Sequence, residues 1–147
     1  MLRRKVTRSH ETGHWVIAAV FLALCFSACS SGNKQLSRTD VQLAAGDLRT
    51  FGAATKMLLD ACSSGDATAT FCRAQGELLG DDIDSELKGI DGNAADANYE
   101  RAQLVDIGGH LREIARRIEQ GSSMSNDATD ADRISSIAKT VEDTLRK

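Results

Sequence analysis

Any chemistry this chain performs has to come from a small set of side chains. His10-Glu11-Thr12-Gly13-His14 sets two imidazoles one helical turn apart, the H-E-x-x-H spacing that binds Zn²⁺ and leaves the Glu as a general base. Asp81, Asp82, Asp84 and Glu86 place alternate carboxylates along a short stretch, a pattern that gathers around a hard cation such as Ca²⁺. Counted from Asp82, a calcium loop wants Gly at 87 and Glu at 93, where the chain has Leu87 and Asn93. Solvated carboxylates favoured by a helix dipole are the simpler expectation for that run. Arg112, Arg116 and Arg117 form a basic cluster; Arg112 and Arg116 share one side of a helix and are candidates to meet an acidic partner or lipid headgroups. Glu113 stands four residues before Arg117, the spacing of a surface ion pair. The one histidine after residue 28 is His110, on the shoulder of an apolar stripe, where a packing or surface role is expected. No G-x-S-x-G, P-loop, G-x-G-x-x-G or C-x-x-C-H pattern occurs, so no catalytic constellation is expected.

The elements that must position these groups are helical. The chain has 147 residues, 41% apolar and 27% charged, which suits one compact domain. It has no proline and only 4% aromatic residues, which argues against a β-sandwich with its many turns and packed faces. The net charge of −3 hides an asymmetry. Residues 1–28 carry Arg3, Arg4, Lys5 and Arg8 against Glu11, so everything after them is more acidic than the total suggests. That balance disfavours nucleic acid as a partner.

The basic start is followed by an apolar run from Trp15 to Ala28 and then an abrupt return to polar residues, the order of a secretory signal peptide. The run is shorter than the roughly 18 to 20 residues needed to span a bilayer, so removal is expected rather than permanent anchoring. Its end, Phe26-Ser27-Ala28-Cys29, resembles the lipobox of bacterial lipoproteins, with Phe26 where that family usually has Leu. The resemblance implies that Cys29 is acylated and becomes the mature N-terminus; ordinary cleavage, for instance after Ser27, is the alternative. It further implies, from Ser30 at the second mature position, an outer-membrane destination facing the periplasm. His10 and His14 then fall in a discarded leader, without a third ligand or a cavity around a metal.

Residues 29–37 form the lipidated N-terminus and a short flexible tether, and 38–147 the folded domain. From Thr39, a candidate N-cap, apolar or small residues recur on one face from Val41 to Cys62, and Ser63-Ser64-Gly65 stops that helix. Asp66 is the candidate cap of a second helix carrying Phe71, Cys72, Leu78, Leu79, Ile83, Leu87 and Ile90, with a break or kink signalled at Gly80-Asp81. Leu104, Ile107, Gly108, Leu111, Ile114, Ala115 and Ile118 mark a third, stopped by Gly121; Ala131, Ile134, Ile137, Ala138, Val141 and Leu145 mark a fourth. The expected fold class is all-α: four amphipathic helices in an antiparallel up-down-up-down bundle, preceded by a cleaved signal helix. In an oxidising compartment Cys62 and Cys72 are the expected disulfide, pinning the first hairpin, with two buried thiols as the alternative. Gly108-Gly109 in mid-helix costs about 1 kcal/mol per glycine relative to Ala. Close approach of a neighbouring helix at Gly108 is the first explanation, a groove for a partner the second, which places Gly108 beside Arg112 and Arg116 as a candidate partner-binding residue.

These features together point to a non-enzymatic cell-envelope lipoprotein, tethered by lipid and working as a protein-binding or structural module. No cofactor is expected beyond the covalent lipid on Cys29, and the expected partners are the membrane and another envelope protein. In layout the mature chain is similar to type II secretion pilotins, small helical lipoproteins with a disulfide that hold a secretin segment in a groove. The resemblance is architectural and carries no residue roles. A binder of small ligands or ions is the competing class, and a zinc protease built on His10 and His14 comes last.

Overall fold

A computed structural model describes residues 35–122 and 125–147. The expected signal peptide, Cys29, His10 and His14 lie outside the described residues. Four helices follow one another: α1 (Arg38–Ser64), α2 (Ala69–Gly89), α3 (Asn98–Glu119) and α4 (Asp127–Leu145).

The start of α1 is set by Ser37 rather than Thr39. The Ser37 hydroxyl accepts from Asp40 N–H at 3.2 Å while the Asp40 carboxylate accepts from Ser37 N–H at 2.9 Å, a reciprocal capping box. Leu36 and Val41, flanking that box, are both buried, the arrangement of a hydrophobic staple. The folded domain thus reaches back past residue 38: Leu36 belongs to the core, and its N–H donates to the Asn93 carbonyl at 2.9 Å. The expected tether is correspondingly shorter at its C-terminal end.

Gly65 closes α1 at φ 80°, a left-handed conformation that suits a residue without Cβ. Thr68 caps α2, accepting from Phe71 N–H at 3.2 Å, whereas Asp66 accepts the Ser64 hydroxyl at 2.6 Å. No break occurs at Gly80-Asp81: α2 runs through it, with Gly80 turned toward Ala115 of α3.

Neighbouring helices run antiparallel, as the cross-helix pairs require. Arg38 at the start of α1 reaches the Leu145 carbonyl at the end of α4 (3.0 Å), and Arg112 of α3 pairs with Asp84 of α2. The most extensive packing joins α1 to α4, followed by α2 to α3; α1 also touches α2 and α3, α4 also touches α3, and α2 and α4 do not meet. The bundle is therefore two close pairs set side by side. Each close seam is made by small residues. A Cβ on Gly52 of α1 would lie 3.0 Å from Ser135 Cβ and 3.1 Å from the Ala131 carbonyl of α4. On Gly76 of α2 it would lie 2.7 Å from the Glu119 amide of α3.

Leu48, Ile83, Leu104, Leu111 and Ile114 sit at the centre of the core. The stripes expected on α3 and α4 are buried almost throughout. Phe71 and Leu78 depart from expectation, at 50% and 57% exposed. The reason is positional: α2 is flanked by α1 and α3 alone, so only a narrow strip through Cys72, Gly76 and Ile83 is covered.

Candidate functional site

The seam between α3 and α4 is lined by bulky residues where the close seams have small ones. Ile107 and Ile114 on α3 face Ile134 and Ile137 on α4, and β-branched side chains at these positions hold the backbones apart. The result is an open cleft of about 350 Å³ with an isoleucine floor. Asp106, His110 and Glu113 from α3 and Asp130 and Arg133 from α4 stand around its rim. His110 is the expected shoulder residue: its side chain is exposed and sits 3.9 Å from Asp106, one turn back.

One end of the cleft is closed by a buried ion pair. Arg117 donates to Asp127 through Nη2 at 2.7 Å and Nε at 3.2 Å, and to Glu113 through Nη1 at 3.3 Å. Asp127 is 2% exposed, so it does more than oppose a helix dipole; it fastens the start of α4 to the end of α3. The hydrogen bond with Asp127 raises the Arg117 pKa against the opposing effect of desolvation. Glu113 also accepts from Arg116 Nε at 2.8 Å, and that bond first, then the guanidinium charges nearby, hold its carboxyl below the usual carboxylate value.

The expected partner-binding residues do not share a surface. Gly108 is buried in the core, where an added Cβ would meet Leu87 Cδ2 at 2.6 Å and Leu48 Cδ2 at 3.4 Å. Close helix approach accounts for it, and it is not available to a partner. Arg112 and Arg116 do lie together, on the side of α3 away from His110, in a polar cleft of about 270 Å³ with Glu77, Asp81 and Glu119. Both are already engaged, Arg112 with Asp84 and Arg116 with Glu113, and those hydrogen bonds raise both guanidinium pKa values.

The Cys62 and Cys72 sulfurs are at bonding distance, 2.10 Å, with Cα atoms 6.1 Å apart, so the expected disulfide joins the end of α1 to the start of α2. Comparison with protein families, curated proteins and solved structures finds no match to this chain. Among the described residues no group of three or more His, Cys, Asp or Glu is placed to hold a metal ion, and no helix is long and apolar enough to cross a membrane. Asp84, part of the acidic run, is tied to Arg112.

The α3/α4 cleft was not visible as a site in the sequence. Its four isoleucines belong to ordinary core stripes, and three of them, Ile107, Ile114 and Ile134, are buried core residues, so nothing in the stripe marks them as the floor of a cleft. The contrast between glycine-bearing and isoleucine-bearing faces is the one signal that carries it.

Proposed function

We propose that this chain is a non-enzymatic lipoprotein of the cell envelope, acylated on Cys29, held in the outer membrane on the periplasmic side, and working by binding another protein along the α3/α4 cleft. The observation that carries the binding reading is the cleft itself. Its isoleucine floor is narrow, with Ile137 partly exposed and Ile107, Ile114 and Ile134 buried beneath it, and an apolar strip between charged rims is what the aliphatic face of a partner helix covers. The leader, with its basic start, apolar run and Phe26-Ser27-Ala28-Cys29, supports the anchor. The disulfide between Cys62 and Cys72 suits an oxidising compartment. No step in this function calls for a metal, a cofactor other than the lipid, or nucleic acid.

A photo-crosslinking residue at Ile137, the partly buried member of the four, tests the reading in intact cells, with Ser136 on the exposed side of α4 as its control. Crosslinks to one envelope protein from position 137 and not from 136 are expected; none from 137 removes the cleft as the binding face. Mass spectrometry of the mature N-terminus tests acylation directly. A secretion accessory of pilotin-like layout is the sharper version, distinguished by recovery of a secretin in that crosslink. The cleft volume of about 350 Å³ also favours a second reading, a small amphipathic ligand, which a ligand-dependent rise in melting temperature detects.

A further inference from the structure

The place where the chain enters the bundle is fixed. Leu36 is 4% exposed, its N–H donates to the Asn93 carbonyl at 2.9 Å, and Gln35 forms a bridge with Asn93. This junction lies at the end of the bundle where α1 begins, α2 gives way to α3, and α4 stops. Arg38 reaches the Leu145 carbonyl there at 3.0 Å, and Arg101 reaches the Ile90 carbonyl at 3.2 Å. The opposite end carries the Cys62–Cys72 bond and the Arg117–Asp127 pair.

Two lengths decide the consequence. Between Cys29 and Gln35 there are few residues, and even fully extended they span at most about 22 Å. The 27 residues of α1 make the bundle about 40 Å long. A lipid on Cys29 thus keeps the Leu36 end within about 22 Å of the bilayer, a bound that the tether does not place on the disulfide end. At the near end Tyr99, in the first turn of α3, is 76% exposed, the most exposed of the large apolar side chains among the described residues. It follows directly on Asn98, whose side chain is bound to Ala94 N–H at 3.1 Å and Asn93 Oδ1 at 2.9 Å, so its backbone is held in place. A tyrosine presented in this way has the apolar ring and polar tip that settle at the level of lipid headgroups. Charge at this end is mixed: Arg38, Lys88, Arg101, Arg146 and Lys147 stand among Asp91, Asp96 and Glu100.

Resting on the lipoprotein reading above, we propose that the end of the bundle around Leu36, Asn93 and Tyr99 is a bilayer-docking surface, with Tyr99 at headgroup depth and the disulfide end projecting away. The tether and the tyrosine supply the contact, among charges of both signs.

The chain has a single tryptophan, Trp15, which leaves with the leader, so the processed protein carries none. Tyr99→Trp and Asn126→Trp each place one indole at an exposed position, the first at the near end and the second beside Asp127 at the far end. Each full-length chain is expressed, processed and reconstituted into phosphatidylethanolamine–phosphatidylglycerol vesicles whose acyl chains are brominated. Flotation reads the anchor, and quenching of indole emission reads the orientation. Both variants are expected to float, with Tyr99→Trp quenched several-fold more strongly than Asn126→Trp. Floating protein with equal or reversed quenching overturns the docking surface and leaves the anchor standing. Protein that fails to float overturns the anchor and the docking surface together.

Discussion

The α2/α3 and α3/α4 seams share a helix and differ in nearly everything else. Along the first, Gly76 lets two backbones approach until an added Cβ would strike the Glu119 amide, and Gly108 makes room for the Leu87 side chain. Along the second, four isoleucines keep the helices apart and leave a cleft. Both faces are apolar and equally regular in period. Side-chain volume, more than hydrophobicity, decides how closely each face of α3 is approached by its neighbour. The same contrast repeats around α1, which closes on α4 across Gly52 and is fastened to α2 by the disulfide. The two pairs are thus stapled on one side and parted on the other.

Removing the staple has the largest expected effect. Closing a loop whose ends are 10 residues apart contributes about 2.7 kcal/mol by restricting the unfolded chain. The double variant Cys62→Ala, Cys72→Ala is expected to lose about that much in denaturant unfolding, where a loss near zero would show the pairs held together by packing alone.

Gly76→Ala attacks a close seam directly. The Cβ would meet backbone, which cannot swing aside, so overpacking outweighs the gain in helix propensity and the net cost is about 2 kcal/mol. Gly109→Ala is the internal control: nothing lies within 4 Å of its added Cβ, and a stability gain of about 0.5 to 1 kcal/mol is expected from the same type of substitution. If the two variants shift the melting temperature in the same direction, seam closeness is not what the glycines provide.

The smallest effect concerns Glu86, whose carboxyl is lifted above its ordinary pKa by burial first and then by the charge of Asp47 across the α1/α2 seam. A carboxyl with a raised folded-state pKa binds protons more tightly in the native state, so this group's contribution declines as pH rises through the carboxylate range. Glu86→Gln is expected to stabilise the bundle at neutral pH by a few tenths of a kcal/mol, solvent screening limiting the gain. The advantage should disappear in acid, where the native side chain is already neutral; thermal melts of both proteins across pH provide the check.

The periodic positions were sufficient to read the four helices and most of the core, because Leu104, Ile107, Leu111, Ile114 and Ile118 are buried whichever neighbours α3 has. They were insufficient wherever the answer depends on which helix lies opposite. Phe71 and Leu78 match the pattern of a buried stripe but flank a helix with only two neighbours, so they remain exposed. Thr39 has the chemistry of a cap; Ser37 does the capping because Asp40 is placed to complete the box and Leu36 is apolar enough to anchor it. Gly108 drew notice through its cost to the helix, yet Gly76, whose added Cβ would meet backbone rather than the end of a side chain, did not stand out from the sequence at all. Asp127 shows the same limit: an acidic helix start is legible, but its pairing with Arg117 depends on how the preceding loop turns.

Because the broadest interface in the bundle joins its first helix to its last, vectorial synthesis leaves α1 without its main cover until the final residues emerge. The α2/α3 hairpin, by contrast, is complete as soon as its own two strokes are made. A nascent chain of this protein therefore carries an uncovered apolar flank for most of its elongation, the kind of surface that holdase chaperones recognise.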